Sequence, residues 1–193
     1  MAIRRFSTSK PGVKSNRFWD QDTAQGAMVP IGVSDMNGTT TAFGFGSIPQ
    51  GYQDLMIVAN IRSTSTAAAG WIINNNNPSG VTYGATTLIG NGTSTTSTRG
   101  TSMSYGASLI GALGTSSGIP ATMIVHFLNY ADSTTRKTFI QRTASDIDSS
   151  GFTGVEVFTT SSTNAITDIA CSTANASIYW VGTATLYGIK AGA

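Results

Sequence analysis

The sequence predicts an all-β protein, an antiparallel β-sandwich with an extended N-terminal arm. Three observations carry this. The apolar runs are short, turn residues separate them at near-regular spacing, and no segment holds apolar residues at i, i+3, i+4 and i+7 over three turns. In chain order the candidate strands cover 27–33, 39–45, 54–61, 70–73, 81–89, 102–109, 121–130, 136–141, 152–158, 164–170 and 177–189. The first two flank Asp35-Met36-Asn37-Gly38, read as a turn. After the second, Pro49 removes a ladder donor, Gly51 permits a turn, Tyr52 can lid the end of the sandwich, and Asp54 opens the next buried strand. Residues 74–80, Gly90-Asn91-Gly92, 114–120, Asp132-Ser133 and 148–151 supply the remaining turns. Residues 90–100 read as a long polar loop.

Faces are legible in two runs. Ile178, Trp180, Gly182, Ala184 and Leu186 share a core face, and Tyr179, Val181, Thr183, Thr185 and Tyr187 share a face that is half-exposed or against a partner. In 122–128 both faces are apolar, which predicts a central strand covered on both sides.

Composition excludes several classes. The chain has 193 residues, of which 10% are charged, against about 25% in ordinary domains. One Cys forms no internal disulfide, and one Cys with one His builds no zinc site of the usual kind. No apolar run approaches the ~20 residues that span a bilayer, and no apolar stretch follows the N-terminal charges as a secretory signal requires, so no membrane association is expected. A net charge of +2 argues against nucleic-acid binding. Ser and Thr make up about a quarter of the chain, which suits sheet surfaces packed among other subunits.

Reactive constellations are sparse. His126 shares a strand face with Ile124 and Leu128 and reads as a packed structural histidine, with an interface pH sensor as the alternative. Cys171 reads as a small buried thiol. The body carboxylates Asp35, Asp54, Asp132, Asp146, Asp148, Glu156 and Asp168 mostly fall in turn or strand-edge contexts, so glycoside cleavage lacks an evident carboxylate pair. Asp146-Ile147-Asp148 with Ser149-Ser150-Gly151 reads as a loop cap before a calcium loop. Tyr52, Trp71, Tyr83, Tyr105, Tyr130 and Trp180 read as sheet packing before sugar platforms. No enzyme, metal or cofactor is expected.

The first twenty residues differ from the rest. Arg4, Arg5, Lys10, Lys14 and Arg17 are five of the eleven basic residues, and no acidic residue precedes Asp20. Such a stretch buries too little apolar surface to order alone. We expect an extended arm over 1–20 and a β-sandwich body over 21–193. Arg4, Arg5, Phe6, Lys10, Lys14, Arg17, Phe18 and Trp19 are the expected contact residues, since cations and aromatics on an extended strand can lie along an acidic groove of another protein.

Four segments carry a family resemblance. Met1-Ala-Ile-Arg-Arg-Phe-Ser-Thr-Ser with Lys14-Ser-Asn-Arg-Phe-Trp-Asp-Gln21 resembles the opening of virion proteins of tailed bacteriophages, marine and cyanobacterial ones in particular. Phe45-Gly-Ser-Ile-Pro-Gln-Gly-Tyr-Gln-Asp-Leu55, Leu88-Ile-Gly-Asn-Gly92 and Ala184-Thr-Leu-Tyr-Gly-Ile-Lys190 resemble later segments of the same proteins, in order along nearly the whole chain. The resemblance implies a jelly-roll-like protein on the virion surface, made in the host bacterial cytoplasm. The expected function is capsid decoration. The arm docks on the major capsid protein or another virion protein, and the body forms a homo-oligomer, most simply a trimer. The alternative is a tail-fibre or baseplate component that binds a host surface glycan through residues 74–80 and 90–100. The chain is shorter and less aromatic than receptor-binding members, which counts against host recognition.

Overall fold

A computed structural model describes residues 27–64, 71–75, 81–103, 106–108, 119–147, 150–173 and 178–190. The described residues form twelve strands. They are β1 (Met28–Thr40), β2 (Ala42–Phe45), β3 (Asp54–Ser63), β4 (Trp71–Asn75), β5 (Tyr83–Gly90), β6 (Thr95–Met103), β7 (Gly106–Ser108), β8 (Ala121–Leu128), β9 (Thr138–Ile147), β10 (Ser150–Thr160), β11 (Ile169–Thr173) and β12 (Trp180–Ile189). They build two antiparallel sheets, one ordered β1-β12-β3-β8-β9-β10-β5-β6 and the other β2-β11-β4-β7. The all-β sandwich expected from the sequence is therefore present.

The strand order identifies the sandwich type. Without β5, β6, β9 and β10, the remaining eight strands pass between the sheets in chain order, with only β4 and β7 consecutive in one sheet, and 1-12-3-8 faces 2-11-4-7. This is a double-sheet jelly roll. The two hairpins left aside, β5-β6 and β9-β10, pair with each other through β10 and β5 and extend the first sheet beyond β8.

Period-two alternation explains why these runs are strands. β3 buries Leu55, Ile57, Ala59 and Ile61, β8 buries Ala121, Met123, Val125 and Phe127, and β12 buries Trp180, Ala184 and Leu186. The small sheet adds Phe43, Phe45, Ile169 and Cys171 to the same core. Phe127 and Phe139 meet edge to face on neighbouring strands, with centroids 4.9 Å apart, an arrangement that contributes about 1 kcal/mol beyond its buried area.

Several expectations need correction. Asp35-Met36-Asn37-Gly38 lies within β1, whose pairing with β12 shifts register between Asn37 and Thr40. The turn residues there make a bulge. Asn37 Oδ1 accepts hydrogen bonds from the Thr39 backbone N–H and hydroxyl at 3.2 and 2.6 Å. Residues 95–100, expected in a polar loop, are strand. Thr-Thr-Ser-Thr-Arg-Gly has no apolar alternation because β6 is a sheet edge exposed on both sides. Residues 164–168 precede β11 without joining it. β8 is central, yet only one of its faces is dry, while Ile124, His126 and Leu128 on the other are half-exposed.

The 46–53 segment is structural, as expected, with one difference. The residue with positive φ is Ser47 (53°) instead of Gly51. Tyr130 Oη donates to the Pro49 carbonyl, Ile48 N donates to Thr167 O at 2.9 Å, and the Tyr52 ring lies on Gly188, where a Cβ would come within 2.5 Å of it.

Gly182 is the tightest backbone approach in the large sheet. Its φ is 130°, and a Cβ there would sit 2.2 Å from the Asn60 carbonyl oxygen and 2.8 Å from Ile61 Cα. Neither atom is a mobile side-chain end, so β3 and β12 must separate to admit it. Gly182→Ala is expected to destabilise the fold by about 3–5 kcal/mol from strain and overpacking together. Urea unfolding checks this: the midpoint falls while the slope holds.

Candidate interaction surface

Among the described residues the small sheet covers one face of the large sheet, and no element covers the other. Strand registers align its residues into rows that cross all eight strands. From β1 to β6 one row reads Val33, Thr185, Val58, Ile124, Arg142, Val155, Leu88, Ser97. The next reads Pro30, Tyr187, Met56, His126, Ile140, Val157, Thr86, Arg99. On the other side of the first row a third reads Asp35, Thr183, Asn60, Thr122, Ala144, Thr153, Gly90, Thr95. Solvated antiparallel sheets usually carry polar residues on the wet side. Here the first two rows mix aliphatic side chains, Val33, Val58, Ile124, Val155, Leu88, Met56, Ile140 and Val157, with polar ones. Val33 is 61% exposed, Leu88 55%, Val155 45% and Val157 40%. Exposed aliphatic side chains grouped in this way make the face a candidate association surface.

Charge on the face is sparse and balanced. Asp35, Asp54 and Asp146 share it with Arg62, Arg99 and Arg142 by strand alternation. Asp35 Oδ1 accepts from the Thr183 hydroxyl at 2.9 Å. Asp54 holds the turn after β8. Its Oδ1 accepts from the Asn129 N–H at 2.7 Å, and its Oδ2 lies 3.2 Å from His126 Nε2. The histidine is thus a half-exposed partner of a strand-opening carboxylate, amid Ile124, Leu128, Met56 and Ile140.

No family model, curated protein or solved structure matches this chain. The assignment of function therefore rests on the residues themselves. The expected contact residues Arg4, Arg5, Phe6, Lys10, Lys14, Arg17, Phe18 and Trp19 lie outside the described residues. So do Tyr105, residues 76–80 of the first expected glycan loop, and Asp148. Of the remaining aromatics singled out, Tyr83, Tyr130 and Trp180 are core residues and Tyr52 covers Gly188, so they are packing groups. Residues 90–100 offer a turn and an edge strand in place of a glycan loop. In the turn, Asn91 Oδ1 accepts from the backbone N–H of Thr93 and Ser94 at 3.1 and 2.8 Å. Beside it lies an open recess of about 580 Å³, walled by Asn91, Pro120, Asp146, Phe152 and Thr153.

The carboxylates are spread out. Asp168 lies near the Ser47 N–H and accepts from the Thr167 hydroxyl at 2.7 Å. Glu156 is the one whose setting the sequence did not reveal. It is buried on the inner face of β10, where Thr87 Oγ1 donates to it at 2.8 Å. Among the described residues no three His, Cys, Asp or Glu side chains gather.

Two groups have shifted protonation. Cys171 is wholly buried, and burial pushes its thiol far above the usual range. The native protein is expected to resist thiol-specific reagents at pH about 8 and to react fully once unfolded. Quantitative native labelling would contradict the buried placement. Asp132 organises the turn between β8 and β9. Its carboxyl is held well below the usual range by the Thr135 hydroxyl, then by the Thr134 hydroxyl and backbone N–H. Beside it Lys137 is buried and donates from Nζ to the carbonyls of Thr135 and Thr163 at 2.5 and 3.0 Å, and burial lowers its pKa. The folded Asp132 pKa lies below the unfolded value of 3.8, so the unfolded chain binds the extra proton between them. The stabilisation is complete above 3.8 and fades as pH falls through the folded value. Urea midpoints should therefore show wild type above Asp132→Asn at about pH 6, with the gap closing towards about pH 2.

Proposed function

We propose that this protein is a non-enzymatic structural component of a tailed-bacteriophage virion, a capsid decoration protein that stabilises the shell by binding it. The observation that carries the reading is the outer face of an eight-stranded sheet, which exposes Val33, Leu88, Val155 and Val157 and carries balanced charge. A chain of low charge exposing such a face is built for association. The jelly roll serves in viral capsid and lectin domains, which supports the reading by fold-level analogy. The four segments that resemble tailed-phage virion proteins support it independently.

In this reading Arg4, Arg5, Phe6, Lys10, Lys14, Arg17, Phe18 and Trp19 dock on the major capsid protein or another virion protein, and the body stands on the particle surface. A partner that binds only the assembled shell stabilises it by mass action, by about 2.7 kcal/mol when present at a hundredfold its dissociation constant. The second reading is a tail-fibre or baseplate component that binds a host glycan. The recess beside Asn91 and Phe152 favours it.

Antibody-labelled electron microscopy of intact particles tests both. Label on the head is expected, with deletion of residues 1–20 leaving a folded body that no longer loads onto particles. Label confined to the tail, with glycan-array binding by the purified protein, selects the second reading. Unlabelled particles overturn both.

A further inference from the structure

We infer that β6, an edge strand of the large sheet, pairs with β6 of a second copy of this chain, antiparallel about a two-fold axis at Ser97, so that the two large sheets run on into each other.

The edges of the two sheets carry the first observation. Exposed strand edges recruit other strands, and proteins blunt them with short strands, prolines and bulges. Three of the four edges here are blunted. β2 and β7 have four and three residues. β1 shifts register between Pro30 and Gly32 and again between Asn37 and Thr40. The Lys190 N–H donates to Ala27 O at 2.9 Å, and ladder bonds alternate along an antiparallel pair. Pro30 is therefore turned away from β12, and its missing N–H falls on the open edge. β6 is the exception. Residues 95–99 pair one for one with β5, contain no proline and are all exposed. Irregularity begins only after Gly100, where the register shifts and Ser102 takes a φ of 56°.

The same alternation identifies the outward groups. The Asn91 N–H donates to Ser94 O at 3.1 Å across the turn, and on the far side of β5 the Ser161 N–H donates to Thr82 O at 2.8 Å. Both bonds set the phase so that Thr96, Thr98 and Gly100 are the β6 residues bonded to β5. The N–H and C=O of Thr95, Ser97 and Arg99 therefore point away from the sheet, and such groups are strong donors and acceptors.

This edge complements itself. Centred on Ser97, the two-fold sets Ser97 against Ser97 of the second copy and Thr95 against Arg99 of the second copy twice. Every outward N–H and C=O then has a partner. Thr96 meets Thr98 of the second copy on the other side of the ribbon, a hydroxyl pairing that favours antiparallel neighbours. Charge selects the register. The two Arg99 residues stand four positions apart, about 14 Å along the strands. A slip of one pairing step towards Arg99 would make them diagonal neighbours, and a slip of two would set them face to face. Arg99 is the one charged residue of β6, so the edge offers an outside partner little else to read. Because β1 is blunted, association stops at two chains, a dimer in place of the trimer expected from composition.

So narrow a contact lies below the ~1,200 Å² of a stable interface, so sedimentation of the full chain from about 5 to about 500 μM is expected to move the mass from 20.0 kDa towards twice that value. Ser97→Cys should cross-link to a dimer on oxidation, since the paired Cα atoms stand about 5.5 Å apart, within disulfide range. Val33→Cys, on the exposed face of β1, should not, and the native Cys171 is buried. Ser97→Pro removes an N–H that β5 does not use, and should give single chains with an unchanged circular-dichroism spectrum. Thr95→Asp places a carboxylate opposite each Arg99 and should tighten the dimer about fivefold. A mass of one chain at every concentration, a mass of three or more, or a dimer that Ser97→Pro leaves intact overturns the inference. So does equal cross-linking through Val33→Cys, or a Thr95→Asp dimer no tighter than wild type. If Ser97→Pro alters the spectrum, the two cysteine variants decide. The pairing needs no virion role. A dimer absent from particles removes that role alone, and a monomer present on them removes the dimer alone.

Discussion

Eight of the twelve strands pass back and forth between two sheets, and each must bury one row of side chains in a single shared core. That constraint governs the molecule. A strand that enters the core from the large sheet returns in the small one, so neither sheet is stable without the other. Leu55, Ile57, Val125 and Phe127 have solvent on neither side of their shared layer because Phe43, Phe45, Ile169 and Cys171 close it. The tight approach of β3 to β12 at Gly182 follows from the same demand, since the core is sealed by strands that cannot drift apart.

The two extending hairpins widen the large sheet without widening the small one. β9, β10, β5 and β6 add four strands beyond the jelly roll's own edge. Their inner side mixes Phe139, Phe158 and Tyr83 with Gln141, Thr143, Glu156 and Thr87, a more polar lining than that of the central strands. Their outer side carries the most exposed aliphatics of the sheet's interior strands. The extension thus doubles the strand count of the large sheet.

The ionisable groups support this architecture. Asp54 and Asp132 hold the two ends of the turn after β8, Lys137 pins that corner to carbonyls from two segments, and Cys171 is sealed in the core. Asp54, Asp132 and Lys137 satisfy backbone or neighbouring side chains at places where a strand starts or stops. These groups hold the corners of the scaffold.

The arrangement of core and turns was open to reading wherever alternation was strong. β3, β8 and β12 announce themselves because one side of each is apolar in every second position, and Asn91 and Asp132 mark turns because their short carboxamide and carboxylate groups capture local N–H donors. β6 escaped notice because an edge strand wet on both faces has no such contrast, and the bulge at Asn37-Gly38 looked like a chain reversal because both use the same residue chemistry. The dryness of each side of β8 lay beyond local pattern. Ile124 and Val125 are alike as residues, and whether an aliphatic side chain is core or surface depends on which distant strands arrive above it. Those contacts, between residues far apart in the chain, made one face a core and left its twin facing outward.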